Sequence, residues 1–268
     1  MNREMTLGGI LLGLLLMSSA LATEAAPMRM GDGTVQGESL NDYQFTWLQC
    51  LKQEDGWVSA GPMTESLVSI GKVLRLTQRA TQANGIESRS TTYLDRSSLA
   101  PLRMEQQATG PDGEVLRMIT RALSEEGYSG ETRQSDQVTE IGGSINSTMW
   151  HGGALGLPLV TVDAAHYPVE FASSMIAFDG TYRTIATIAD RETLHHDGAA
   201  VEALLVDVEW HHIESGDVYP PGPDASGGRF WLVPDPPNNY PYGPQYRTDT
   251  YLVSTLMEKC PENDPTEE

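Results

Sequence analysis

A two-residue alternation of apolar and polar side chains dominates the chain from residue 42 onward. Successive side chains of a strand point to opposite faces of a sheet, so this period favours strands over helices, whose period is 3.6. The pattern is clearest over residues 203–212, where apolar side chains alternate with Asp207 and Glu209. The apolar members are Leu204, Val206, Val208 and Trp210. We predict a strand here whose apolar side faces the core.

Similar segments recur at hairpin-like spacing, and we count about nine to eleven candidate strands. The clearest hairpin joins residues 102–108 to residues 115–123 through the turn residues 110–113. Along the stretch from Val68 to Leu76, the side chains of Val68, Ile70, Leu74 and Leu76 are interpreted as sharing one face of a strand, interrupted by Lys72. Residues 169–178 are compatible with a short helix or a strand. We therefore predict a mainly β protein, built as a large curved antiparallel sheet or a half-open β-barrel with few short helices.

The N-terminus predicts export. Arg3 precedes an apolar run of about eleven residues, and Ala20-Leu21-Ala22 has the form of a cleavage site. We interpret residues 1–22 as a signal peptide cleaved after Ala22, with cleavage after Ala26 as an alternative. A membrane anchor is the competing interpretation, but spanning a bilayer takes about 20 apolar residues. We expect a periplasmic or secreted protein with no transmembrane segment in the mature chain.

The mature chain divides into three parts. Residues 23–39 are small and polar and are interpreted as a linker, residues 40–260 as a single β-rich domain, and residues 261–268 as an acidic, disordered tail. Half of the 16 prolines fall between Pro220 and Pro244. These proline-rich segments predict surface loops or, alternatively, a rigid aromatic rim over a cavity.

The two cysteines, Cys50 and Cys260, lie near the two ends of the mature chain. In an oxidising compartment an isolated pair is expected to be bridged, so we predict a Cys50–Cys260 disulfide. A nucleophilic cysteine is the alternative, but no local signature supports it.

Charge and motifs restrict the function. The chain carries 37 acidic and 17 basic residues, a formal net charge of −20, which argues against binding nucleic acid. No nucleophile elbow, zinc-protease motif, phosphate loop or EF-hand pattern occurs. We therefore predict no cofactor and no catalytic residue, and the question of enzymatic activity stays open, with a non-enzymatic role favoured.

Four histidines are weak candidates for a metal site. They form two dyads, His195-His196 and His211-His212, on consecutive predicted strands. Depending on register, the dyads would lie close together or at opposite ends of the hairpin. Neighbours on a strand face opposite sides, so His212 would share the apolar side with Trp210, and His211 the acidic side. Ordinary surface or core-edge histidines are the favoured interpretation.

Two short motifs resemble a group of exported bacterial proteins of uncharacterised function. Residues 91–103 (TTYLDRSSLAPLR) are similar to their strand–turn–strand unit, in which an Asp-x-x-x-Leu-x-Pro turn joins neighbouring strands. Residues 227–235 (GGRFWLVPD) resemble their late strand with an aromatic-Trp pair. The resemblance covers about residues 40–256 and implies a fold related to the periplasmic lipoprotein carriers and localisation factors. It implies a concave sheet face that can hold a lipid.

Three functional hypotheses follow. The first is a non-enzymatic periplasmic binding or carrier protein for a lipid or other hydrophobic ligand. Its candidate ligand-binding residues are Tyr43, Phe45, Trp47, Trp210, Phe230 and Trp231. The alternative for each is a core aromatic packed against a covering element. The second is an envelope interaction protein that uses its proline-rich loops and acidic surface to bind another envelope protein. The third is a hydrolase whose site is assembled from distant strands.

Overall fold

The computed structural model describes residues 25–54, 56–82, 85–124, 127–144, 149–151, 154–174, 181–196, 199–219, 228–233, 245–247, 251–254 and 259–260. Of residues 151, 194–196, 199, 219, 245–247 and 251–254 it describes the backbone alone. The predicted signal peptide, most of the proline-rich segments and the acidic tail lie outside the described residues.

Seventeen strands and one short α-helix make up the described fold. The first nine strands are β1 (Ala26–Pro27), β2 (Tyr43–Gln53), β3 (Gly56–Ile70), β4 (Val73–Thr81), β5 (Glu87–Asp95), β6 (Pro101–Thr109), β7 (Val115–Leu123), β8 (Tyr128–Gln134) and β9 (Gln137–Gly143). The helix α1 (Gly156–Thr161) follows β10 (Met149–His151). The remaining strands are β11 (Val169–Ser174), β12 (Thr181–His196), β13 (Ala199–His212), β14 (Val218–Tyr219), β15 (Gly228–Leu232), β16 (Gln245–Arg247) and β17 (Tyr251–Ser254).

All strands belong to one hydrogen-bonded sheet. Strands β2 to β9 form an antiparallel meander, and β17 pairs with β2 to join this meander to the strands from the second half of the chain. The described ladder ends at β9 on one side and at β1 and β10 on the other, where both pair in parallel with β11. The predicted fold class is confirmed: the protein is mainly β, with a large antiparallel sheet, few short helices and no closed barrel among the described strands.

The local predictions are confirmed in part. Residues 110–113 form the turn between β6 and β7, and the strand predicted over residues 203–212 is β13. Residues 169–174 are a strand. The single strand predicted from Val68 to Leu76 is wrong, because Gly71 and Lys72 form a two-residue turn between β3 and β4. Gly71 has a positive φ of 62°, a conformation that glycine adopts without a steric penalty.

The sheet curves around its main hydrophobic core. One cluster of buried side chains includes Leu74 of β4 and Leu94 of β5 together with Tyr182 of β12 and Val208 of β13, although these strands are far apart in the ladder. The side chains of α1 belong to the same cluster. The indole Nε1 of Trp150 on β10 donates to the backbone carbonyl oxygen of Leu99, which follows β5 (3.1 Å). A flat sheet could not bring these distant parts of the ladder together, so the face that carries this core is concave.

The segment before β2, which the sequence predicts as a linker, packs in part against the concave face. Ala26 and Pro27 pair with β11, and Met28 and Val35 are buried in the main core. Helix α1 contacts the one-turn helix Gly37–Ser39 of this segment. The few apolar residues of this mostly small and polar segment therefore hold it against the concave face of the sheet.

Substitution of Gly37 tests this packing. A Cβ at Gly37 would lie 2.7 Å from Leu99 Cδ2 and would overlap the carbonyl oxygen of Arg96. We expect Gly37→Ala to lower the free energy of unfolding by about 1–3 kcal/mol, because overpacking displaces the backbone. Urea unfolding measures this, with the exposed neighbour Glu38→Ala as the control. An unchanged Gly37→Ala midpoint would contradict the packed arrangement.

A second, smaller core lies on the opposite face of the sheet. It contains Cys50, Trp57, Leu205 and Trp231, and Cys260 packs against it. Cys50 and Cys260 form a disulfide with their Cα atoms 5.7 Å apart, so the predicted pairing is confirmed. The bridge ties the end of the chain to β2.

Candidate functional site

The concave face of β2 to β7 is divided into a covered zone and an open zone. In the covered zone the register aligns Tyr43, Leu67 and Leu76 on neighbouring strands, and these side chains are buried in the main core. Two residues further along the strands the alignment runs from Phe45 through Glu65 and on to Ile119. The open zone begins with this row, because Gln78 and Ile119 line the groove.

The open zone is a groove of about 370 Å³, which we call the concave groove. Its amides and hydroxyls come from Gln49, Gln78, Gln106, Ser88 and Ser90, and its apolar surface from Met63, Ala80, Ala108 and Ile119. Arg117, which lies opposite Ala108 in the ladder, adds a positive charge at the β7 side, and Arg79 and Arg89 also border the groove. The volume falls within the range of small-molecule sites, about 300–1,000 Å³. The groove is therefore amphipathic, with an apolar floor and hydrogen-bonding groups along it.

Glu65 lies at the boundary between the covered core and the groove. Its side chain is buried, and it accepts hydrogen bonds from Tyr43 Oη (2.6 Å) and from Gln78 Nε2 (2.6 Å). Burial raises the pKa of this carboxyl from its usual value of 4.5 to about 7, and the two hydrogen bonds oppose part of that increase. Gln78 also lines the groove, so one hydrogen-bond partner of Glu65 is part of the polar lining of the site.

Trp47 lies beside the groove as well. It is buried, and it is paired across the ladder with Met63, which lines the groove. Its indole Nε1 has no hydrogen-bond partner within the described structure. A buried N–H without a partner carries a desolvation cost of about 1–3 kcal/mol, so a hydrogen-bond acceptor placed near this group would recover energy.

The six aromatic residues predicted to bind a ligand are brought together only in part. Tyr43, Phe45 and Trp47 share the concave face as predicted, with the Tyr43 and Phe45 rings stacked 5.2 Å apart. None of the six lines the concave groove or the three smaller pockets on the strands β2 to β9 and their connections. The other three are Trp210, Phe230 and Trp231.

These last three aromatics are core residues of two different faces. Trp210 and Phe230 are buried in the main core, and β15, which carries Phe230, contacts α1. Trp231 is adjacent to Phe230 on β15 and therefore faces the other side, where its Nε1 donates to Glu192 Oε2 (2.7 Å). The sequence identified the buried aromatic positions but not the groove.

The two histidine dyads lie at opposite ends of the β12–β13 hairpin. His195 and His196 pair with Ala200 and Ala199 next to the turn, whereas His211 and His212 pair with residues at the start of β12. At about 3.3 Å per residue the dyads are roughly 40 Å apart. The four histidines therefore do not form one site.

The alternation predicted for the second dyad is confirmed. The ring of His211 is hydrogen-bonded through Nε2 to Glu209 Oε2 (3.0 Å), and the ring of His212 packs edge-on against Tyr182 at 5.1 Å. The Nδ1 of His212 also accepts a hydrogen bond from the Ser215 N–H. In the described part of the chain no group of three or more His, Cys, Asp or Glu side chains is arranged to hold a metal ion. No helix within the described ranges has the length and apolar composition to cross a membrane.

Sequence reasoning missed Glu65 and the groove residues. A usable signal for Glu65 exists, because it lies midway between Met63 and Leu67 and is therefore an acidic residue at an inward position of a strand. Nothing comparable identifies the groove, since Gln, Ser and Ala are compatible with either face. Searches of family models, of curated proteins and of solved structures found no match to this chain. The resemblance to the lipoprotein carriers and localisation factors stays a prediction.

Proposed function

We propose that the protein is a non-enzymatic carrier that binds a single-chain amphiphile with an anionic end, such as a long-chain fatty acid, in the concave groove. The observation that carries this proposal is the groove itself, a concave surface with an apolar floor, a row of amides and hydroxyls, and Arg117 at one side.

The arrangement of the groove sets the orientation of the ligand. Met63, Ala80, Ala108 and Ile119 provide apolar contact for a hydrocarbon chain, and the small side chains at Ala80 and Ala108 leave the space that the chain fills. A carboxylate at the β7 side would pair with Arg117, which is exposed there. The resemblance to periplasmic lipoprotein carriers implies a lipid ligand on the same face of the sheet.

Export to an oxidising compartment is part of the proposal. The Cys50–Cys260 disulfide supports it, because such bonds persist outside the reducing cytosol. The N-terminal pattern of residues 1–22 supports it independently. The alternative role as an envelope interaction protein rests on proline-rich loops that lie mostly outside the described residues.

Filling the groove tests the proposal. We expect the purified protein to bind a fluorescent long-chain fatty acid, and we expect Ala108→Trp to weaken this binding at least tenfold, because the indole occupies the space of the chain. Val138→Trp is the matched control, since Val138 is exposed on β9, away from the groove. Equal affinity of a folded Ala108→Trp variant and the wild type would overturn the proposal.

The role of Arg117 is tested separately with two probes of equal chain length. Arg117→Gln is expected to weaken binding of the fatty acid severalfold and to leave binding of the corresponding fatty alcohol unchanged, because only the acid carries a charge. Fluorescence titration of both probes at low and high salt measures the difference. An equal loss for both probes would contradict an anionic end at Arg117.

A further inference from the structure

The convex face of the sheet carries a group of arginines, two of which, Arg79 and Arg89, also border the concave groove. Arg75 and Arg79 lie on β4 and Arg89 on β5, all three at positions that alternate with the inward residues of the core and groove. They line one pocket of about 250 Å³. We call these three residues the convex arginine cluster.

The convex arginine cluster places like charges close together on neighbouring strands. Arg79 lies directly opposite Arg89 in the ladder, and like charges in opposed positions destabilise a sheet. Within the described residues none of the three makes an ion pair, although the chain carries a net charge of −20. Two other arginines of this face are paired: Arg103 with Glu105 at 2.6 Å and Arg133 with Glu131 at 3.4 Å.

The lining of the pocket is suited to an oxyanion. Besides the arginines it contains the hydroxyls of Thr64, Ser66 and Thr77 and the amide of Gln44, all from outward positions. The Nε of Arg75 is buried without a partner in the described structure. Glu65 also borders the pocket, but its carboxyl oxygens are held by Tyr43 and Gln78 and carry no ion pair to the cluster.

We propose that the convex arginine cluster binds a phosphate group, with Arg79 and Arg89 sharing its charge and the surrounding hydroxyls accepting or donating the remaining hydrogen bonds. Arginine is the residue best matched to this ligand, because its planar guanidinium presents paired donors to two phosphate oxygens. A bound phosphate also removes the repulsion between the opposed arginines. The outward positions of the cluster lie on the opposite face from the inward residues of the concave groove, although Arg79 and Arg89 border both pockets, and the proposal does not depend on the function proposed for the groove.

Inorganic phosphate is the first probe. We expect millimolar phosphate to raise the melting temperature of the wild-type protein, and titration calorimetry to detect binding. Arg79→Gln with Arg89→Gln is expected to weaken this binding at least tenfold and to abolish the shift in melting temperature. Without phosphate the double variant is expected to be as stable as the wild type or more so, because a like-charge pair is removed.

The matched control removes the same charge from the same face. Arg103→Gln with Arg133→Gln also deletes two positive charges, and we expect it to retain phosphate binding within about twofold. A wild-type protein that binds no phosphate at millimolar concentration would overturn the proposal. An equal loss in both double variants would overturn it as well, because the effect would then reflect net charge and not the pocket.

The source of the phosphate is distinguished with vesicles. Binding to vesicles of phosphatidylglycerol, but not of phosphatidylcholine, that is lost in Arg79→Gln with Arg89→Gln would assign the site to an anionic lipid headgroup. Phosphate binding without vesicle binding would assign it to a free phosphorylated molecule. Either result supports the site. Ala108→Trp, which fills the concave groove and lies outside the pocket of the arginine cluster, is expected to lose fatty-acid binding and to retain phosphate binding, so failure of one proposal is separable from failure of the other.

Discussion

Removal of the Cys50–Cys260 disulfide is expected to lower the free energy of unfolding by about 3–5 kcal/mol. The bridge joins residues separated by 210 positions, and a loop of this length gives an entropy-based stabilisation of about 5 kcal/mol. The lower end of the range allows for residual structure in the reduced, unfolded chain. The effect is large relative to the total stability of a domain, typically about 5–15 kcal/mol.

The measurement is urea unfolding of the Cys50→Ala, Cys260→Ala double variant against the oxidised wild type. Alanine is preferred to serine because Cys50 is fully buried in the second core, where a hydroxyl would need a partner. We also expect a larger dependence of the unfolding free energy on urea concentration, because the uncrosslinked chain exposes more surface. Wild type treated with a reductant is the control and is expected to match the double variant. A loss below about 1 kcal/mol would contradict the entropic account.

Glu65→Gln is expected to make the protein more stable than the wild type at pH 8 by about 3 kcal/mol and to bring the two close together near pH 4.5. The pKa of Glu65 is about 7 in the folded chain, against a usual value of 4.5. Below pH 4.5 the carboxyl is protonated in both states and contributes no pH dependence. Between pH 4.5 and 7 the unfolded chain loses this proton while the folded chain retains it, so stability falls as the pH rises. Above pH 7 the penalty is constant.

Denaturant unfolding at half-unit steps from pH 4.5 to 8 measures this difference. Glutamine resembles the protonated carboxyl in shape, so it can still accept the hydrogen bond from Tyr43. Glu140→Gln is the control, because Glu140 is exposed on β9 and its substitution is expected to leave the pH profile as in the wild type. A pH-independent difference between Glu65→Gln and the wild type would show that the Glu65 carboxyl does not titrate in this range.

Much of the strand content could be predicted because alternation is a local property. The side chains of β13 face the sides that their order along the chain assigns, with Leu204, Val206 and Val208 in the main core and Asp207 paired with Arg229 on the other side. The hairpin of β6 and β7 follows from its turn residues. The disulfide was predictable because a chain with two cysteines has one possible intramolecular pair.

Helix α1 shows where local reasoning fails. Its sequence contains a glycine and a proline within six residues, a composition with poor helix propensity, and five of its six residues are buried. The helix is therefore stabilised by packing on the concave face and not by its own sequence. The prediction around Lys72 is wrong for a related reason. The alternation continues across a two-residue turn, so it does not show that Val68 and Ile70 lie on the face opposite to Leu74.

The sequence by itself determined the cysteine pairing and, for most of the strands, their place in the chain and the facing of their side chains, because these follow from neighbours along the chain. Only the tertiary structure decided which residues meet on those faces and which parts of the faces are covered. Strand register placed Arg79 opposite Arg89, separated the histidine dyads and brought Gln78 and Tyr43 to Glu65. Curvature then divided one concave face into a filled core under α1 and an open groove. Both depend on contacts between residues far apart in sequence, which no local pattern of residues encodes.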